Sequence, residues 1–411
     1  MSRLHALPIA VALLAVAVAS PAAAAPPPGA CHDPEGPHAR IQQVPWAQQT
    51  LDPRRAWPYS RGAGVLVAVI DSGVDADHPQ LRRPGKVRPG RDFHLPGALP
   101  GAFDCVSHGT AVASIIGADP VPDVGFHGVA PDAELLAVRI SDRDVGDRGE
   151  LLRINPQAVA DGIRYAADQG ARVINLSLAG QSDFPAIREA VAYAVARDAL
   201  VVAAAGNAQR DAGELPSFPA GYDGVLGVGA VDINGARLPD SQIGGYVGLV
   251  APGAKVVGAT RVDGHAYLDG TSFAAPFVAG TAALVRAAWP ALSAPEVARR
   301  LKATASPARG GRDSRAFGAG LVDPYRAVTD GLDLARPTTR PGYVARPPDQ
   351  ARLDREARDR HVLTTARGLA GVAGGTGALV AVLAAVFARG RRRGWRPGWA
   401  VPPVVDRRSG G

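Results

Sequence analysis

The sequence predicts an α/β domain with a mainly parallel sheet, helices on both faces of that sheet, and one membrane-spanning helix after it. Three observations predict this. From Gly64 onward, short continuous apolar runs alternate with amphipathic stretches of helical length, the pattern of strands buried on both faces by crossover helices. The first run, Val65-Leu-Val-Ala-Val-Ile70, ends on an acid, Asp71, where the carboxyl end of a parallel strand would present it to a ligand. Far downstream, Leu369 to Ala388 gives twenty residues without a charge, followed at once by Arg389, Arg391, Arg392, Arg393 and Arg396. Twenty such residues span a hydrocarbon core, and the basic flank marks the cytoplasmic end.

The chain has 411 residues, 46% of them hydrophobic, enough for one large core plus attachments and too many for a disordered chain. Its formal charge of +7 sits at the ends. The stretch beyond residue 388 holds seven Arg and one Asp, Arg3 adds a charge near the start, and the body between them is balanced. A neutral body with 5% aromatic residues offers no nucleic-acid footprint, so no nucleic-acid partner is expected. Lysine occurs only at Lys86, Lys255 and Lys302 while Ala, Arg, Gly and Pro abound, the usage of a GC-rich genome.

Taken in order, residues 1–25 read as a secretory leader. Arg3 supplies the positive start, Leu7 to Val18 the apolar run and Ser20 to Ala25 the small-residue cleavage zone, with cleavage near Ala23–Ala25. Residues 26–60 are a Pro-rich N-terminal extension, expected to be irregular. The extension carries Cys31, and the other cysteine is Cys105. In an exported chain the two suggest a disulfide, which would tie the extension close to His108; two free thiols or a lipid-modified Cys31 are the alternatives.

The main domain is expected over 61–335. Its strands fall at Val65–Ile70, Leu135–Ile140, Val173–Leu178, Leu200–Ala204, Val225–Val231 and Val247–Val250, and its helices at His108–Gly117, Pro156–Asp168, Pro185–Arg197, Ser272–Ala288 and Ala294–Ala303. Residues 336–367 form a Pro/Arg-rich linker and a charged segment, 368–388 the transmembrane helix, and 389–411 a basic cytoplasmic tail.

Chemistry concentrates at Asp269-Gly-Thr-Ser-Phe-Ala-Ala-Pro276, which places the Ser272 hydroxyl on the first turn of an apolar helix. Unpaired N–H groups there carry partial positive charge and support a developing oxyanion. Pro276 is expected to be tolerated because a first turn needs few N–H donors. Read alone, the stretch is equally an ordinary Ser/Thr helix cap. Three more motifs accompany it: Asp71 in Val67-Ala-Val-Ile-Asp-Ser-Gly-Val74, His108 in His108-Gly-Thr-Ala-Val-Ala113, and Asn207 at the end of Val201-Val-Ala-Ala-Ala-Gly-Asn207.

With these four motifs, the segment over roughly residues 45–330 resembles the subtilisin-like serine proteases, or subtilases, whose acid, histidine and serine come in this chain order. Gly128-Val-Ala-Pro-Asp-Ala-Glu-Leu-Leu-Ala-Val138, Tyr222-Asp-Gly-Val-Leu-Gly-Val-Gly-Ala-Val231 and Val250-Ala-Pro-Gly253 are subtilase-like as well. The resemblance implies a three-layer subtilisin-like fold and a serine endopeptidase with Asp71, His108 and Ser272 as catalytic residues and Asn207 in the oxyanion hole. A serine hydroxyl is a weak nucleophile at neutral pH and needs a base; His108 takes its proton, Asp71 holds the imidazole, and the Asn207 amide donates to the oxyanion. The mechanism calls for no metal or organic cofactor, and none is expected.

Ser177, Leu178, Ala179 and Gly180 match the place where subtilases pair with a substrate backbone by strand addition. Ala179 stands where Gly is usual, and its methyl is expected to narrow the pocket for the residue before the scissile bond. Residues 203–206, among them Ala204 and Gly206, would form the floor of that pocket and favour small or apolar side chains. The opposing wall should lie in residues 141–155. His78 is expected to be structural, and His94, His127 and His265 receive no role. The extension is too short for the folding propeptide that many subtilases carry. With the terminal span, this architecture resembles the mycosins, membrane-anchored subtilases associated with type VII secretion. That resemblance implies an extracytoplasmic catalytic domain and, as partners, a peptide or protein substrate, the membrane and a type VII secretion membrane complex. The alternative is a structural part of such a machine whose role does not need catalysis.

Overall fold

The computed structural model describes residues 26–32, 34–142, 154–210, 213–309, 311, 313–332, 382–392 and 394. The expected leader, most of the wall expected at 141–155, the linker at 336–367 and the greater part of the expected span and tail lie outside those residues. The chain divides into two units, Met1–Ala335 and Arg336–Gly411. In the second, residues 382–392 are helical, with Val382, Leu383, Val386 and Phe387 exposed.

In the first unit, β1 (Leu66–Asp71), β2 (Val87–Asp92), β3 (Glu134–Arg139), β4 (Val173–Leu176), β5 (Leu200–Ala204), β6 (Val225–Val231) and β7 (Val247–Pro252) form one sheet. The order is β2-β3-β1-β4-β5-β6-β7, and every neighbouring pair is parallel. All six residues of β1 are buried, as a strand covered on both faces requires. Its Val67 and Val69 pack into a core shared with α2 (His108–Gly117) and α5 (Thr271–Ala288). Leu66, Ala68 and Ile70 point the other way, toward α3 (Pro156–Asp168) and α4 (Pro185–Ala196). The period of two thus separates a three-layer α/β/α sandwich. From β1 the chain order rises outward through β4 to β7 on one side, with β3 and then β2 on the other, so Asp71 stands at the carboxyl edge beside the switch in direction, where such sheets bind ligands.

Several elements differ from the sequence expectation. The segment expected to be irregular contains a helix, α1 (Trp46–Leu51), and a 3₁₀ turn at Pro53–Arg55, because Ala47, Leu51 and Ala56 dock into the core. β2 reads Val-Arg-Pro-Gly-Arg-Asp and carries no apolar run. It is an edge strand whose register shifts between Arg88 and Arg91, and an edge tolerates the Pro and Gly that fall there. A buried pair, Arg139 to Asp92 at 2.8 Å, fastens β2 to β3. Beyond the main sheet, β8 (Val256–Ala259) and β9 (His265–Leu268) make an antiparallel hairpin. Two short helices complete the unit: α6 (Ala294–Thr304), with a Ser293/Glu296 capping box, and α7 (Pro324–Thr329), capped by Asp323.

Candidate active site

Every residue expected to act sits at the end of an element. Asp71 closes β1, His108 opens α2, Asn207 follows β5 and Ser272 is the second residue of α5. Asp71 and His108 are brought together: His108 Nδ1 lies 2.7 Å from Asp71 Oδ1, and both side chains are buried. A carboxylate only accepts, so Nδ1 carries the hydrogen and Nε2 presents a lone pair. The same Oδ1 accepts the Ser72 N–H at 2.7 Å, which fixes the carboxylate plane. The approach of α2 to β1 depends on Gly109, where a Cβ would stand 2.0 Å from the Gly73 carbonyl oxygen.

Sequence reasoning passed over Asp104, which locks this junction. Its Oδ1 accepts from the Ser72 hydroxyl and the Val106 N–H, both at 3.0 Å. Its Oδ2 accepts from the Thr110 N–H at 2.9 Å and the Thr110 hydroxyl at 2.7 Å. Ser72 in turn accepts from the Gly109 N–H at 2.9 Å. One acid therefore holds the residue after Asp71 and the two residues after His108. Burial raises the Asp104 carboxyl to about 6, with the Asp71 charge adding to it and the bonds from Thr110 and Val106 opposing. Its signal was an acid four residues before His108, in a stretch where surface charge is not needed.

The start of α5, which bears Ser272, comes close to His108. The ring of the following residue, Phe273, lies 5.1 Å from the His108 ring, centroid to centroid. The Ser272 carbonyl would bond the N–H four residues on, but that residue is Pro276, beyond the first turn, so the expectation that a first-turn proline removes nothing is corrected. The freed oxygen instead accepts from the Ser177 hydroxyl at 2.6 Å, and Asn175 Nδ2 donates to that hydroxyl at 2.9 Å. Asn207 Oδ1 accepts from the Thr271 N–H and the Thr271 hydroxyl, each at 2.9 Å. Its Nδ2 is turned to Gly270, where a Cβ would stand 3.0 Å away.

The segment 177–180 runs beside this cluster. Gly180 exchanges both backbone bonds with Phe218 at 2.8 Å, so its N–H and C=O are already engaged within the protein. Ala204 ends β5 in the core, and Gly206, with a φ of +97°, faces Ala179: a Cβ built on it would lie 3.3 Å from the Ala179 methyl.

Cys31 and Cys105 are joined as a disulfide. From there the extension runs as a strap. The Glu35 N–H donates to the Cys105 carbonyl at 3.2 Å, and Arg40 grips Asp263 at 2.6 and 2.9 Å. The Gly125 N–H donates to the Ile41 carbonyl at 3.1 Å. The Ile41 N–H donates to His265 Nδ1 at 3.2 Å, and His265 Nε2 bonds Gln80 at 2.7 Å. His78 Nε2 lies 3.3 Å from the Gly264 carbonyl oxygen, the structural use expected of it. Burial lowers His265 and His127 to about 4 each.

The family profile Peptidase_S8, described as the subtilase family, matches residues 62–320. Mycosin-1 of Mycolicibacterium smegmatis is 36% identical over 369 residues, covering 76% of this chain and 80% of that protein. Thermitase of Thermoactinomyces vulgaris is 35% identical over 297 residues, covering 72% and 99%. Among solved structures, MycP1 from the ESX-1 type VII secretion system superposes with a TM-score of 0.65 at 32% identity, covering 76% of this chain and 92% of that one. A fold, a chain order of motifs and a buried acid–imidazole pair thus agree with sequence likeness over most of the chain: it belongs to the subtilase family, as a subtilisin-type serine peptidase related to the mycosins.

Proposed function

We propose that this chain is a membrane-anchored, extracytoplasmic serine endopeptidase that works through an acyl-enzyme on Ser272 and is linked to type VII protein secretion. The observation that carries the chemistry is the buried 2.7 Å contact between Asp71 and His108, set beside the helix start that bears Ser272. In this reading His108 Nε2 takes the Ser272 proton as the oxygen attacks the scissile carbonyl, then returns it to the leaving amine. Asp71 keeps the imidazole in the useful tautomer and stabilises its charged form. Asn207 Nδ2 and the Ser272 N–H donate to the tetrahedral oxyanion. Water then releases the acyl group with His108 as base. The substrate strand lies along Ser177–Ala179, with the side chain before the scissile bond between Ala179 and residues 204–206.

The anchor rests on the charge-free run at 369–388 and its arginine flank, supported by the exposed apolar side chains of helix 382–392. The link to secretion rests on likeness to the mycosins, of which MycP1 belongs to the ESX-1 type VII secretion system.

The test is labelling of the full-length chain in detergent with a fluorophosphonate, which phosphonylates an activated serine oxygen with release of fluoride. We expect one label per chain, on Ser272, and a loss of peptide turnover of about 10⁴–10⁶-fold in Ser272→Ala with unchanged melting, a range set by subtilisin itself. Equal turnover by the variant would remove the mechanism.

One description favours a second reading: a MycP1 structure is described as an essential component of the type VII (ESX-1) secretion system. A scaffold role needs the fold without the hydroxyl. Restoration of secretion in a deletion strain by Ser272→Ala would support it, and failure of that variant would exclude it.

A further inference from the structure

Gln242 belongs to none of the motifs above. It reaches the site from the connection between β6 and β7, and it is 2% exposed. Its backbone N–H donates to the Gly206 carbonyl at 2.9 Å. Its side-chain Nε2 donates to the Pro216 carbonyl at 3.2 Å and lies 3.4 Å from the Tyr246 hydroxyl. These bonds hold the amide in one orientation, with Oε1 against Gly206. A Cβ built on Gly206 would stand 2.2 Å from that Oε1, 2.8 Å from Cδ and 3.3 Å from the Ala179 methyl. The Gly206 face, the Ala179 methyl and the Gln242 amide therefore meet at one point. Gly206 immediately precedes Asn207, and Ala179 lies in the segment assigned to the substrate strand.

We infer that Gln242 is a specificity-determining residue: its amide closes the pocket for the side chain before the scissile bond and restricts it to small, uncharged groups. The inference rests on the proposed reading of 177–180 and 204–206 as the substrate-binding walls. Two physical consequences define it. The amide fills depth that a long or aromatic side chain needs, and it is held by the protein's own hydrogen bonds, so displacing it would leave buried polar groups unpaired. The amide is also neutral, so it cannot compensate an ammonium or guanidinium brought out of water.

The test uses the full-length chain in detergent and peptides that differ only in the residue before the scissile bond: Ala, Phe or Lys. In Gln242→Ala the ratio of kcat/KM for Phe to that for Ala should rise at least about tenfold, the size of effect that one or two methylenes produce in such pockets. In Gln242→Glu, which keeps shape and adds a charge, the Lys to Ala ratio should rise at least about tenfold while the Phe to Ala ratio moves less than about threefold. Fluorophosphonate stoichiometry and melting temperature certify each variant, and if the truncation fails to fold the isosteric variant decides alone. Variants that label fully with both ratios unmoved overturn the inference and leave the peptidase reading standing. A wild-type chain that neither labels nor cleaves overturns both.

Discussion

Ser177 shows how one hydroxyl can serve a reaction without touching it. Pro276 leaves the Ser272 carbonyl without its helical partner, and Ser177 supplies a replacement at 2.6 Å inside the core. Ser177→Ala should leave a buried acceptor unsatisfied and cost about 1–3 kcal/mol in denaturant unfolding, together with a fall in kcat as the backbone of Ser272 loses its anchor. An unchanged midpoint would show that the carbonyl finds another donor. Asp104 makes a prediction in pH. Its native carboxyl titrates near 6, whereas an unfolded Asp titrates near 4. Between those values the native chain holds a proton that the unfolded chain has released, so this group's contribution to stability falls as pH rises through the window. The stability of wild type relative to Asp104→Asn should therefore fall by about 2 kcal/mol from pH 4 to pH 7. His127 and His265, lowered to about 4, act with the opposite sign, because the unfolded chain takes up their protons first as pH falls; they do so in both proteins and cancel. Unfolding curves at unit steps of pH check it, and a flat difference would sink it.

At the scale of elements, the strap is held at both ends. The disulfide at Cys31 and Cys105 closes a separation of 74 residues, and Arg40, Ile41 and Trp46 fasten the remainder. Replacing both cysteines with serine should lower the unfolding free energy by up to about 4 kcal/mol, since most of the effect comes from freeing the unfolded chain. Loss of less than about 1 kcal/mol would mean that the strap's hydrogen bonds already restrict that loop. The strands at the heart of the sheet were legible because each is an apolar run ending at a turn, and the helices because each is an apolar or amphipathic stretch of helical length between such runs. β2 was not, since an edge strand needs no apolar period and its Pro and Gly argue against any strand at all. α1 was hidden because six residues of helix make no period, and its burial comes from tertiary docking.

Across the whole molecule, the motifs that carry chemistry were readable one by one, but the contacts that hold them were not. Asp71, His108, Asn207 and Ser272 stand in recognisable local settings; Asp104, Ser177 and Gln242 matter through partners far along the chain, which only the fold discloses. Length and apolarity alone also mislead at this scale. Among the described residues, the helix long and apolar enough to cross a membrane is Thr271–Ala288, yet 89% of it is buried in the domain. The anchor is instead expected in the second unit. A chain ended at Ala335 should move from the membrane fraction to the soluble fraction and keep its fluorophosphonate labelling, as read by fractionation and gel fluorescence. Retention on the membrane after that truncation would place the attachment elsewhere.

Ser272, the proposed nucleophile, rides on α5, the helix that the rest of the domain encloses. Under the proposed mechanism, any loosening of the surrounding layers would unseat that helix, so partial unfolding is expected to silence the activity rather than release it.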